Sequence, residues 1–353
     1  MARRKKSNFD ISLSLRRILP GMKAVIPVAG AGTKLRPHTH TQPKPMIPIA
    51  GKPILGHIIE SLLEAGIEQQ IFITGYLREK IQDFVMEHYG DRIEAEFVIQ
   101  EPRRGLAHAI WMARESFRDT DEILIVLGDT LFGEDIRNVL KIPGCALGVQ
   151  EVDDPRAFGV AIREHGDEHV IQVIEKPEIP TSNLALVGLY KICRIPELIE
   201  SLDEVVQKPV GEDEEYVLTN ALMGMINRGV RFSTYFIENW YDCGKLEGLL
   251  RTNRILLERL GKLPQYSFDN SVIIPPVLIQ RGCQISNSII GPNVAISENS
   301  RIRDSIIRNS ILGAFTQLDS IILRDSVIGN DTSLIGKANS INIGDNTEID
   351  LGS

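Results

Sequence analysis

The chain has 353 residues, 43% of them hydrophobic, enough length for two domains and enough apolar character for a full core. Its net charge of −8 excludes a general nucleic-acid binder, and it has no run of about 18 apolar residues that would make a transmembrane helix. Four scattered cysteines, Cys145, Cys193, Cys243 and Cys283, lack zinc-site spacing and read as reduced thiols of a cytoplasmic protein.

The first 21 residues stand apart. Arg3, Arg4, Lys5, Lys6, Arg16 and Arg17 face a single acid, Asp10, and no apolar core of signal-peptide length is present. The stretch reads as a flexible basic extension, with Met22 as an alternative start.

Met22–Pro27 is a short apolar strand. The segment that follows, Val28–Pro48 (VAGAGTKLRPHTHTQPKPMIP), holds Gly30, Gly32, Lys34, Arg36, Pro43, Lys44 and Pro45. Glycines let backbone N–H groups approach an anion and lysines neutralise it, so a loop opening a helix after a first strand suits a polyphosphate. Two familiar phosphate motifs are excluded. A dinucleotide fingerprint needs a glycine where Leu35 stands, and a P-loop needs Gly-Lys-Ser/Thr, whereas Lys34 follows Thr33.

Beyond the loop, strand and helix patterns alternate to about Lys262. Strands are expected at Gln69–Thr74, Ala95–Ile99 and Glu122–Leu127, and helices at Pro53–Ala65, Glu79–Tyr89, Leu106–Phe117 and Gly244–Leu260. Alternation of this kind predicts a Rossmann-like, mostly parallel sheet with helices on both faces. Between Gly144 and Ile192 strands dominate, which suggests an inserted sheet region that caps the nucleotide domain and holds a second substrate. Ile123–Asp129 reads as a buried strand ending in an acid, and such an acid faces the ligand crevice of an open α/β sheet.

After Pro264 the texture changes. Ile279, Ile285, Ile290, Ile296, Ile302, Ile307, Leu312, Leu318, Leu323, Ile328 and Leu334 recur at gaps of five or six residues, with Gly, Asn, Asp and Ser between them. This is the hexapeptide repeat of a left-handed parallel β-helix, about four to five coils long. The expected domains are therefore 22–263 and 264–353.

Gly30-Ala-Gly-Thr-Lys-Leu-Arg-Pro37 followed by Pro43-Lys-Pro45 resembles the signature of the sugar nucleotidyltransferases, most of all the long glucose-1-phosphate thymidylyltransferases. The resemblance implies a magnesium-dependent transfer from a nucleoside triphosphate, dTTP or UTP first, to a sugar 1-phosphate, glucose 1-phosphate first. It implies catalytic roles for Lys34, Lys44 and Lys176. Lys34 stands where the family has arginine and loses the planar fork. Ala29, Gly30, Gly32, Thr33 and Arg36 would hold the nucleotide, with Gln100 and Gly105 of Gln100-Glu-Pro-Arg-Arg-Gly-Leu-Ala-His-Ala109 at the base. Asp129 of Leu-Gly-Asp and Asp242 of Trp240-Tyr-Asp-Cys-Gly244 would hold Mg²⁺. Gly159 of Asp154-Pro-Arg-Ala-Phe-Gly159, Glu175 of Glu-Lys-Pro and Val187 of Val-Gly-Leu-Tyr would meet the sugar, with Lys176 on its phosphate. Asn220 replaces the family's acid in Leu-Thr-Asp.

Two other readings stand beside this one: a non-catalytic regulatory subunit that binds nucleotide sugars, and a mannose-1-phosphate guanylyltransferase-like enzyme. Acyltransfer in the β-helix is disfavoured because all seven histidines precede residue 170. The partners expected are the two substrates and further copies of the chain in a homo-oligomer, with neither nucleic acid nor membrane.

Overall fold

The computed structural model describes residues 21–164, 167–209, 211, 214–261 and 264–336. The first 20 residues of the expected extension, His165 and the expected boundary at Leu263 lie outside them. Two compact units form. One contains the described residues up to Ile47 with Lys52–Leu249; the other contains Pro48–Gly51 with the described residues from Leu250 onward.

The strands up to Asp242 are β1 (Lys23–Pro27), β2 (Pro48–Ile49), β3 (Lys52–Pro53), β4 (Gln69–Thr74), β5 (Glu94–Ile99), β6 (Ile123–Val126), β7 (Thr130–Phe132), β8 (Cys145–Glu151), β9 (Gly159–Arg163), β10 (His169–Glu175), β11 (Leu184–Ile192), β12 (Phe232–Phe236) and β13 (Trp240–Asp242). The helices are α1 (Ile54–Glu64), α2 (Arg78–Tyr89), α3 (Leu106–Met112), α4 (Arg114–Phe117), α5 (Arg137–Leu140), α6 (Ile195–Gln207), α7 (Leu218–Asn227) and α8 (Leu246–Arg259).

In the first unit a nine-stranded sheet runs β5-β4-β1-β6-β11-β8-β12-β10-β9 among the described residues. Its first half is parallel: β4 and β6 flank β1, and β5 adds outside β4. Ala24–Ile26 and Ile123–Val126 are fully buried, as in strands covered on both faces. In α1, Ile54, Leu55, Ile58, Ile59 and Leu62 repeat at helical spacing and form the buried side. β11 then enters antiparallel to both β6 and β8. The strands between Gly144 and Ile192 thus extend the same sheet instead of building a separate cap, because all nine residues of β11 are buried within it.

The expected helix over Leu106–Phe117 breaks at Ala113, whose φ of −89° and ψ of 2° lie outside the helical basin. The glycine-rich loop also departs from expectation, since it does not open directly into a helix. It passes through three 3₁₀ turns, Thr33–Leu35, His38–His40 and Lys44–Met46, before α1 begins. Pro37, Pro43 and Pro45 lack the N–H groups that a continuous helix would need.

The second unit carries three stacks of parallel strands. In one, Val272–Ile273, Ile289–Ile290, Ile306–Arg308 and Ile322–Arg324 lie in register. The others stack Val277–Ile279 through Val327–Ile328 and Gln284–Ser286 through Ser333–Ile335. Each recurring aliphatic from Ile279 to Leu318 is buried in a common core, and Leu323, Ile328 and Leu334 pack against it. Corners fall at Asn287, Asn293, Asn299, Asp304, Asn309, Phe315, Ser320, Asp325 and Asp331, each with positive φ. Asn and Asp tolerate that left-handed backbone better than most residues. The parallel β-helix predicted by the repeat is the fold that forms.

Candidate active site

The two halves of the glycine-rich loop close on each other at Gly32. Its φ is +62°, and a Cβ placed there would lie 2.9 Å from Lys44 Cβ and 3.0 Å from Thr39 Cγ2. The buried Thr39 hydroxyl donates to Gly32 O (2.8 Å), which ties the loop shut. Lys44 is thereby directed toward the carboxyl end of β6, where its Nζ lies 2.5 Å from Asp129 Oδ2. Burial pushes the Asp129 carboxyl up, but the Lys44 ammonium and the Thr130 hydroxyl outweigh it and hold the group below its ordinary range.

Asp242 arrives on the strand beside Asp129. β13 pairs antiparallel with β7, setting Asp242 opposite Thr130, and Cys243 N–H donates to Asp129 O (3.0 Å). The Gly244 N–H donates to Asp242 Oδ1 (2.7 Å), and a Cβ at Gly244 would fall 2.7 Å from that oxygen. Among the described residues no group of three or more His, Cys, Asp or Glu side chains could hold a metal, so a cation here would rest on these two carboxylates and on ligand oxygens. Lys44 already sets a positive charge against Asp129, and two hard carboxylate donors suit magnesium.

A second cluster forms at the ends of β1 and β4. Val28 N–H donates to Ile73 O, and Tyr76 N–H donates to Ala29 O (3.1 Å). A Cβ at Gly75 would meet Ala29 Cβ at 3.0 Å and Arg103 Cδ at 3.1 Å. Gly75, Tyr76 and Arg103, whose guanidinium stacks over Tyr76 at 5.6 Å, are members that sequence reasoning missed. The signal was available, because Gly75 follows a parallel strand at its carboxyl end, as Asp129 nearly does. Gln100 follows β5 and is buried. Its Nε2 donates to Gly105 O (2.9 Å) and faces His108 Nδ1 (3.3 Å). Gly105, at φ +97°, sits against Tyr216, leaving no room for a side chain.

The third cluster joins β9, β10 and α7. Thr219 donates its hydroxyl to Glu175 Oε2 (3.1 Å), and Lys176 Nζ lies 3.5 Å from Glu175 Oε1. A Cβ at Gly159 would meet Thr219 Cγ2 at 2.9 Å and Glu175 Oε2 at 3.4 Å. Thr219 was also missed; it precedes the Asn220 that departs from the family pattern. Phe158 packs edge-on against Trp240 (5.0 Å), linking this cluster to the strand of Asp242. Buried Tyr190 bridges the field: burial first, then the Glu175 and Asp129 carboxylates, push its phenol up.

Not every expected residue joins in by its side chain. Val187 is buried and packs toward Gly148. Lys34, Thr33, Gly30 and Arg36 are exposed on the loop, and Lys34 makes no ion pair among the described residues.

Residues 23–259 match the family described as nucleotidyl transferase. With the glycine-rich loop, the Lys44–Asp129 pair and this match together, the chain belongs to the sugar nucleotidyltransferase family. It is 34% identical over 245 residues to the low-salt glycan biosynthesis nucleotidyltransferase Agl11 of Haloferax volcanii, across 67% of this chain and 66% of that protein. It is 37% identical over 268 residues to the bifunctional protein GlmU of Methanococcus vannielii, covering 74% of this chain but 61% of the relative. The chain therefore spans less than two thirds of either protein's length. A glucose-1-phosphate thymidylyltransferase of Streptomyces griseus is 28% identical over 368 residues, 94% of this chain and 100% of that one. Among solved structures, a UDP-glucose pyrophosphorylase complexed with UDP-glucose superposes with a TM-score of 0.61 at 27% identity, covering 68% of this chain and 100% of the other. No helix among the described residues is long and apolar enough to cross a membrane.

Proposed function

We propose that the chain transfers a nucleotidyl group from a nucleoside triphosphate to a sugar 1-phosphate, releasing pyrophosphate. The observation that carries this reading is the Lys44–Asp129 pair, held at the mouth of the Gly32 turn with Asp242 on the adjoining strand. A cation, an ionised carboxylate and a glycine turn are what an in-line reaction between two anions requires.

A phosphate oxygen of the sugar 1-phosphate attacks the α-phosphorus. The new O–P bond forms as the bond to the β-phosphate oxygen breaks, and pyrophosphate departs with that electron pair. Gly30, Gly32 and Thr33 offer backbone to the triphosphate, while Lys34, Arg36 and Lys44 neutralise it. Ala29, Gln100 and Gly105 line the base. Gly159, Glu175 and Val187 meet the sugar, Val187 through its backbone, and Lys176 grips the sugar phosphate. Asp129 and Asp242 would hold Mg²⁺, which when bound supplies charge neutralisation on the phosphates.

dTTP or UTP and glucose 1-phosphate are the first substrates to test, supported by one relative named for thymidylyl transfer and a solved relative that holds UDP-glucose. Pyrophosphate release, with Mg²⁺, across a grid of nucleoside triphosphates and sugar 1-phosphates tests the reading. One strong cell names both substrates; a silent grid in a protein that still binds nucleotide contradicts it.

The chain also reads as a cytoplasmic homo-oligomer. Val272, Ile289, Ile306 and Ile322 form one in-register column on the β-helix, and Val272 and Ile322 are 57% and 76% exposed. A second copy is the occupant this apolar column suits. Ile306→Lys together with Ile322→Lys should lower the sedimenting mass, and an unchanged profile would contradict it.

A further inference from the structure

We propose that His108 is the positioning residue that fixes which way the Gln100 side-chain amide points, and through it the choice between pyrimidine bases. The inference rests on the reading that Gln100 faces the base. Gly105 O can only accept, and it also receives the Ala109 N–H (3.1 Å), so the amide NH₂ is the end of Gln100 turned toward it. His108 Nδ1, 3.3 Å from the same nitrogen, is then an acceptor, with the ring proton on Nε2. Tyr216 stacks on the imidazole at 6.3 Å and Trp111 flanks it at 5.7 Å. Trp111 is itself anchored by an Nε1–H bond to Asp203 (2.7 Å).

Both hydrogens of the Gln100 amide are thus engaged. Its Oε1 makes no hydrogen bond among the described residues and is the function left for a ligand. Uracil and thymine carry an N–H at N3, whereas cytosine has a bare lone pair there. An amide that offers only an acceptor matches the first two and repels the third; rotated by 180° it would do the reverse. Gly105 and His108 are the two contacts that oppose that rotation.

The test measures UTP against CTP, with the best sugar 1-phosphate, as a ratio of kcat/KM and independently as a ratio of Kd by calorimetry. His108→Leu should lower the UTP preference about tenfold, the worth of one hydrogen bond. His108→Gln, whose carbonyl can accept from Gln100, should retain most of the preference. Should the leucine variant fail to fold by circular dichroism, His108→Asn, too short to reach, replaces it. A folded His108→Leu or His108→Asn variant with the unaltered preference overturns the proposal. Gln100→Leu separates the two levels. If it too leaves the preference unaltered, the base-reading role of Gln100 has failed; if it alone abolishes the preference, only the role of His108 has.

Discussion

Lys44 and Asp129, 85 residues apart in the chain, meet at 2.5 Å at the carboxyl end of β6. The lysine side chain is 15% exposed and the aspartate 38%, so the pair is partly screened by solvent and its value is positional more than energetic. Asp129→Asn keeps the shape and removes the charge. It should lower turnover at least about 100-fold, as loss of a preorganised electrostatic group does, while the thermal midpoint moves by only a few degrees. If the proposed reaction holds, removing divalent metal by chelation should silence turnover of the native protein to a similar degree. Near-native rates in Asp129→Asn would remove this carboxylate from the reaction.

Asp242→Asn is predicted to behave alike for a different reason. Oδ1 already accepts the Gly244 N–H, a bond that asparagine can retain, so the turn survives and the charge alone is lost. Turnover should fall at least about tenfold, with the apparent Mg²⁺ requirement raised. An unchanged magnesium titration would show that Asp242 serves the turn only.

Gly32→Ala tests the loop. An alanine at φ +62° costs about 1–2 kcal/mol in backbone strain, and its Cβ would press on Lys44 and Thr39. Gly30 has open space around its Cβ position and no positive φ, so Gly30→Ala should leave stability within about 0.5 kcal/mol of the parent. Denaturation midpoints that shift equally in the two variants would mean that Gly32 is not where the loop closes.

Much of this was legible in the sequence, unevenly. The β-helix core could be read off residue by residue, because a solenoid coil contacts only its neighbours and its inward positions recur in the chain. β1, β4 and β6 were legible for a related reason, since central parallel strands are continuous apolar runs. β11 was harder: its antiparallel entry depends on which strands lie beside it, and burial on both faces erases the alternation that would mark direction. In the site, Lys44, Asp129, Gln100 and Glu175 were visible as motif members. Gly75 was not, and Thr219 and Tyr190 stood within motifs, Leu-Thr-Asn and Val-Gly-Leu-Tyr, without a role of their own, because each acts through groups it meets only in the fold: Ala29 for Gly75, Glu175 for Thr219, and Glu175 with Asp129 for Tyr190.

Lys34 stands on an exposed 3₁₀ turn and makes no ion pair among the described residues, so an arginine can take its place there. Lys34→Arg should restore a bidentate grip on phosphate and raise kcat/KM about threefold or more, and Lys34→Ala should lower it about 100-fold. An alanine variant with full activity would move the catalytic cation to Arg36.

His108 gives the pH dependence a definite sign. Burial first, and then the Arg104 cation, lower its pKa below 6.5; Tyr216, the Trp111 ring and the Gln100 amide are its other neighbours, with Asp203 behind Trp111. A histidine whose folded pKa is depressed contributes stability that is present above its unfolded value and lost as pH falls through the folded one. Protonation also sets an Nδ1–H against the Gln100 NH₂, so the UTP preference should fall over the same acidic window below 6.5. His108→Gln removes the titrating group, and its preference should stay level with pH. If the native and His108→Gln preferences decline together in acid, some other group governs the effect, and the His108–Gln100 contact is not what orients the amide.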